Sequence, residues 1–297
     1  MRVPEPLTRD LLRRFPLPDH PEDSDKEARG RLLVIAGSRQ LAGAAILAGT
    51  GGLRAGAGKL QIATGESVAP AIGVAVPEAR VVGCPETEEG CIDAAAIEAL
   101  LDWAGGAQAI LAGCGLQHGP PLEELLDALL ASGLDKPLVL DAALLGSLAP
   151  RAETLRAWKG GAVLLPHSRE MARLLECNAA EVEADPLAAA RRAAQTYGAV
   201  AVIKGPFSHI VAPDGRAFRF EGGGVGLATS GSGDALAGIV GGLCARGADP
   251  LTAALWGVYL HGEAGRRLAK RIGRIGFLAR EILDEVPALM DDSPSRP

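Results

Sequence analysis

From Arg31 onward, short apolar runs alternate with longer amphipathic segments. The runs fall at 31–36 (RLLVIA), 59–63 (KLQIA), 79–83, 108–112 (QAILA), 137–141 (PLVLD), 161–165 and 199–203, and helical patterns fill most of the gaps between them. Strands apolar on both faces are strands covered on both faces, so the pattern predicts a parallel sheet between two helical layers. Residues 209–220 break the rhythm: HIVAP and RAFRF flank Asp214-Gly215, a hairpin signal that adds an antiparallel pair near one edge. The last 60 or so residues read mostly as helix. The fold class expected is therefore α/β, a mostly parallel β-sheet flanked by helices on both faces with an antiparallel edge hairpin.

Ahead of this body, Thr8 caps a short helix carrying Leu11 and Leu12, and a charged stretch with Pro16, Pro18 and Pro21 leads into the first strand. No internal repeat and no long linker interrupts the chain. The division expected is a leader over 1–30, a single catalytic domain over 31–290 and a frayed tail over 291–297.

Composition narrows the classes. Thirty Lys and Arg against 36 Asp and Glu give a net charge of −6, which argues against a nucleic-acid protein built on a basic surface. With 48% hydrophobic and 22% charged residues the chain is no disordered segment. Aromatic residues are only 3%, so Ala, Val, Ile and Leu must build the core, and 39 glycines point to tight turns or close backbone approach to a ligand. Cys84, Cys91, Cys114, Cys177 and Cys244 are odd in number and form no CxxC pair, so they read as reduced thiols. No apolar h-region or membrane-length run is present, and a soluble cytoplasmic protein is expected.

In an open parallel sheet ligands sit beyond the carboxyl ends of the strands. Gly113-Cys114-Gly115, Asp141, Pro166-His167 with Glu170, and Lys204-Gly205 all fall there, bringing acid, base, cation and glycine turns to one edge. Asp141 and His167 have a plainer reading as caps of the helices that follow. The most informative stretch is GGGVGLATSGSGD (222–234), followed by a helix with Leu236, Ile239, Val240 and Leu243 on one face and Gly247 as its stop. Glycines opening a helix leave backbone N–H groups free for phosphate oxygens, although such turns also occur without a ligand. No Walker A motif is present, because Leu53 and Leu60 stand where Gly and Ser/Thr are required. His261-Gly262-Glu263 lacks the PCxxC of a zinc deaminase and reads as ordinary helix.

Six blocks carry a resemblance: GSRQLAGAAILAGTGGLRAGAGKLQIAT (37–64), AGCGLQ (112–117), LVLDAALL (138–145), VLLPHSREMARLL (163–175), VIKGPFSHIVAPDG (202–215), and GLATSGSGDALAGIVGGLCARG (226–247) with YLHGEAG (259–265). In this order they resemble the bacterial ADP-dependent NAD(P)H-hydrate dehydratases of the ribokinase-like superfamily. The family's GPGLG is here Gly113-Cys114-Gly115-Leu116-Gln117, its TPHPGE is Leu165-Pro166-His167-Ser168-Arg169-Glu170, its KGxxT runs Lys204-Gly205-Pro206-Phe207-Ser208, and Gly224-Val225 replaces an Asn-Pro.

The resemblance implies repair of NADH or NADPH hydrated at C6 (NAD(P)HX), with ADP as phosphoryl donor and Mg²⁺ as cofactor. It makes Asp234 the proton acceptor; at a helix N-terminus the helix dipole is expected to keep it ionised and therefore a weak base. Gly231, Ser232 and Gly233 would bind the transferred phosphate, and Lys204, Gly205, Pro206, Phe207 and Ser208 the nucleotide. Ala44, Gly115 and His167, with Asp234, would hold the hydrate, and Glu170 and Asp141 would organise Mg²⁺ through water. A separate NAD(P)HX epimerase and a homo-oligomer, tetrameric in the family, are further implications. The alternatives are an ATP-dependent kinase of a small alcohol of hydroxyethylthiazole or pyridoxine type, and a catalytically silent nucleotide-binding regulator.

Overall fold

The computed structural model describes residues 3–21 and 24–291. Its centre is a ten-stranded sheet of order β1-β10-β9-β8-β7-β6-β5-β2-β3-β4, formed by β1 (Glu5–Pro6), β2 (Arg31–Ile35), β3 (Lys59–Gly65), β4 (Ala79–Cys84), β5 (Ala109–Ala112), β6 (Leu138–Leu140), β7 (Ala162–Leu164), β8 (Val200–Ile203), β9 (Phe207–Val211) and β10 (Ala217–Glu221). β2 to β8 run parallel, as the doubly apolar runs require. The hairpin is present and pairs inward as well, since β9 is antiparallel to both β8 and β10. One strand lacks any signal in the pattern: two-residue β1 lies parallel to β10 at the sheet edge. Its pairing comes from tertiary contact, not from periodicity.

Alternation along each strand sends residues to two cores. Leu32 and Val34 face one, with α2 (Ala42–Arg54), α3 (Ala69–Ala75), α10 (Ser232–Ala245), α11 (Pro250–Arg271) and α12 (Ala279–Asp291). Leu33 and Ile35 face the other, with α4 (Ile97–Gly105), α5 (Pro120–Ala131), α6 (Ala152–Arg156), α7 (Ser168–Leu174), α8 (Ala179–Ala184) and α9 (Pro186–Tyr197). Many glycines serve this packing and not a ligand. A Cβ at Gly51 would stand 2.9 Å from the Ala235 carbonyl oxygen, and one at Gly238 would overlap the Ala48 carbonyl, so α2 and α10 touch backbone to backbone.

Thr8 caps α1 (Arg9–Leu12), whose Leu11 and Leu12 are buried, and the Trp256 indole donates to the Phe15 carbonyl at 2.7 Å. Leu7, Leu11, Leu12, Phe15 and Leu17 thus dock the segment ahead of β2 on the first core. At the other end, α12 includes Asp291, while the remainder of the expected tail, 292–297, lies outside the described residues. Among the described residues no helix is long and apolar enough to cross a membrane. The chain order turns back at the β2–β5 boundary, where β3 and β4 go one way and β5 to β8 the other; this is the switch point at which a cleft opens in sheets of this kind.

Candidate active site

Four chain segments meet at the carboxyl edge of the sheet. Asp141 follows β6 and is buried with its Oδ1 2.8 Å from Lys204 Nζ, which follows β8. Asp141 is therefore no helix cap: it makes no capping hydrogen bond, and its partner lies 63 residues away. Gly113 and Cys114 follow β5, and Gly113 holds φ +122 with so little room that a Cβ would overlap the Asp141 carbonyl oxygen. Asp234 enters from the first turn of α10. Atoms of Cys114, Asp141 and Asp234 lie within 4.8 Å of one another, the one such group among the described residues.

Three carboxylates, those of Asp141, Asp234 and Glu170, surround a single ammonium. Burial pushes the Asp234 pKa up, the charge of Asp141 pushes further, and the group reaches about 6 despite a hydrogen bond from the Cys114 thiol and the nearby Lys204. Asp234 was expected to be a weak, fully ionised base because of the helix dipole. Desolvation and like charge outweigh the dipole, and the base is better matched to neutral pH than expected. Burial pulls the Lys204 ammonium down, but Asp141 and Glu170 more than compensate and leave its pKa raised. Burial, with Asp141 and Asp234, lifts Cys114 well above the ordinary thiol range, so it is a neutral donor.

His167 and Glu170 take the plainer role foreseen for His167. Its Nδ1 accepts from the backbone N–H groups of Arg169 (3.1 Å) and Glu170 (3.4 Å), while the His167 N–H donates to Glu170 Oε2 (2.8 Å), a capping box on α7. The outer ring nitrogen of His167, Nε2, faces Glu170 Oε1 at 3.4 Å, so the two side chains also pair with each other.

Beside the cluster lies a cavity of about 750 Å³, lined by His167, Lys204, Gly205, Pro206, Ser208, Thr229, Ser232, Gly233 and His261 among others. The α10 turn has the character the glycines suggested. Gly231 adopts φ +84, and among the described residues the N–H groups of Gly233 and Asp234 have no protein acceptor, whereas that of Ser232 is taken by the Thr229 carbonyl. Gly231 itself is a packing residue, since a Cβ there would overlap Leu47 Cδ1. Phe207 does not join the cavity: alternation along β9 turns its ring the other way, half-exposed beneath the Arg219 guanidinium at 4.8 Å. Ala44 and Gly115 lie apart from the cavity but against each other. Gly115 has φ +66, and a Cβ there would stand 2.6 Å from the Ala44 Cβ. His167 thus lies on the cavity wall with Lys204 and not with the other two residues expected to hold the hydrate.

The Cys114 turn stood out by its position beyond β5, but the thiol's hydrogen bond to Asp234 did not, because the cysteines read as plain reduced thiols. The role of a second residue was missed as well. His261 of α11 lines the cavity with Nε2 2.9 Å from Ser232 Oγ and 3.1 Å from the Ser232 carbonyl oxygen. Burial lowers its pKa to about 4, so it is neutral and fixes the first residue of the turn. Nothing local marks this role, because Ser232 and His261 are 29 residues apart.

Comparison with known proteins gives one answer at three levels. Residues 32–288 match the family model described as NAD(P)H-hydrate dehydratase. The ADP-dependent (S)-NAD(P)H-hydrate dehydratase of Xanthomonas campestris is 46% identical over 97% of this chain and 96% of its own length. A crystal structure of the ADP/ATP-dependent NAD(P)H-hydrate dehydratase of Bacillus subtilis, co-crystallised with ATP and Mg²⁺, superposes with a TM-score of 0.83 at 32% identity, covering 98% of this chain and 99% of that one. The bifunctional NAD(P)H-hydrate repair enzyme of Moorella thermoacetica is 36% identical over 93% of this chain, which spans 52% of that protein.

Proposed function

The chain belongs to the NAD(P)H-hydrate dehydratase family, and on that premise we propose that it restores (S)-NAD(P)HX to NAD(P)H at the expense of ADP, releasing AMP and phosphate. Hydroxide is a poor leaving group. Phosphorylating the C6 hydroxyl converts it into a phosphate that the ring-nitrogen lone pair can expel, so a kinase fold suffices for a dehydration. The observation that carries this reading is the position of Asp234, with a pKa of about 6, between the free N–H groups of α10 and the Lys204–Asp141 pair.

In this reading the Asp234 carboxylate takes the proton of the attacking hydroxyl, and its raised pKa makes it a more effective acceptor. The Gly233 and Asp234 amides receive oxygens of the transferred phosphoryl group, and the Lys204 ammonium offsets its charge. Lys204, Gly205, Pro206 and Ser208 border the nucleotide, with Phe207 contributing through its backbone. Ala44 and Gly115 form the hydrate side, and His167 stands at the boundary between the two.

Magnesium fits these residues: hard carboxylate oxygens outnumber the one ammonium, and Glu170 and Asp141 would hold the ion through water. When bound, the ion would neutralise phosphate charge. The Cys114 thiol is a poor ligand for it and serves as a hydrogen-bond donor instead. The substrates, being soluble nucleotides, favour work in the cytoplasm, and a homo-oligomer follows from the family resemblance.

The test is incubation of purified protein with NADHX, Mg²⁺ and either ADP or ATP. Recovery of 340 nm absorbance with ADP is expected for the S hydrate, with the R hydrate persisting until an epimerase is added. A stable phosphorylated alcohol would make the protein a kinase, and faster turnover with ATP would overturn the choice of donor.

A further inference from the structure

At the opposite, amino-terminal end of the strands, β2, β3, β4 and the end of α4 line a second, open cavity of about 550 Å³. Register puts its polar side chains on one face. Gln61 pairs with Leu33 on one side and Arg80 on the other, and Arg31 lies two residues before Leu33, so all three leave the sheet toward α4. Leu101, Asp102, Trp103 and the Gly105-Gly106 turn complete the wall. A Cβ at Gly106 would stand 3.4 Å from Arg31 Nη1, which places that guanidinium over the turn.

Two features here leave polar groups unsatisfied by the fold. Gln61 is 4% exposed, yet its side-chain nitrogen has no hydrogen-bond partner, a costly state that calls for a ligand. Among the described residues, neither the Arg31 nor the Arg80 guanidinium takes part in an ion pair or hydrogen bond. Two unpaired guanidiniums and a buried amide donor thus come from three adjacent strands to one concave site, far along the sheet from Asp234.

We propose that this cavity binds a small hydroxylated phosphate monoester. Two guanidiniums from separate strands, with the orphan Gln61 amide behind them, suit the several oxygens of a phosphate, whereas a planar carboxylate would satisfy one arginine fork. Trp103 and Leu101 offer an apolar wall for the carbon skeleton, and Asp102 offers an acceptor for its hydroxyl.

Glycerol 3-phosphate is titrated by calorimetry into protein already saturated with ADP, so that the α10 turn is filled, with glycerate run in parallel. The expected result is one site, with affinity at least tenfold weaker for glycerate and at least tenfold weaker in the double variant Arg31→Gln, Arg80→Gln. Gln61→Met, which keeps the volume and removes the orphan amide, should raise the melting temperature and weaken glycerol 3-phosphate. Absence of binding at millimolar ligand, equal affinity in the double variant, equal affinity for glycerate, or a lower melting temperature in Gln61→Met would each overturn the assignment.

Discussion

Replacing Asp234 by Asn keeps the size of the side chain and its ability to accept from the Cys114 thiol, but removes both the charge and the proton acceptor. Two independent consequences follow. Loss of general-base assistance is worth roughly 10² to 10⁴ in turnover, so kcat for NADHX dehydration should fall by that range while ADP still binds. Stability should move the other way. The carboxyl pKa rises from 3.8 to about 6 on folding, about two pK units at about 1.4 kcal/mol each, so keeping the group ionised in the native state costs about 3 kcal/mol. The sign is that of a raised acid: the native state holds the proton more tightly, so the penalty is absent below pH 3.8, grows as pH rises, and is complete above about pH 6. Partial exposure of Asp234 leaves about half of it, and at pH 7.5 the Asn variant should melt roughly 2–3 °C higher. At pH 4.5 the gap should shrink to roughly a third, because the native carboxyl is then mostly protonated while the unfolded one is still mostly ionised. The assay is kcat by 340 nm recovery beside thermal melts at both pH values. Turnover within tenfold of wild type would remove Asp234 from the proton transfer, and an unchanged or lower melting temperature at pH 7.5 would refute the account of its pKa by burial and like charge.

The acid limb of kcat/KM should fall with a midpoint near pH 6, since Asp234 loses its acceptor capacity as it is protonated there; a limb near pH 4 in a pH–rate profile would contradict this. Gly233→Val should abolish ADP binding by calorimetry with the fold retained, because a Cβ there stands 3.4 Å from Lys204 Nζ and 3.8 Å from Asp141 Oδ2 and the added methyl groups crowd the phosphate position. Lys204→Met should destabilise by about 3–5 kcal/mol in urea unfolding at pH 7.5, because it leaves the buried Asp141 carboxylate without its counter-charge. Gly238→Ala should destabilise by about 3 kcal/mol or more, as its Cβ meets the Ala48 carbonyl across α2 and α10, and a melt within a degree of wild type would show that this helix contact can open at no cost.

Periodicity and turn chemistry are local, and what depends on them was legible in the chain: the seven parallel strands from β2 to β8, the Asp214-Gly215 hairpin, the Thr8 cap, the α10 helix and its Gly247 stop, which holds φ +101. The rule that ligands sit past strand ends also singled out Asp141, Lys204 and the Cys114 turn before any coordinates. The relations among these residues were not legible, because they are fixed by strand order and not by spacing along the chain. Asp141 meets Lys204 only because β7 alone separates β6 from β8. The pKa of Asp234 depends on how many carboxylates share one buried ammonium, a count that no single segment contains. Glycines were ambiguous for the same reason. Gly233 opens the phosphate turn and Gly238 lets two helices touch, and five residues of sequence cannot tell one from the other until α2 is packed against α10.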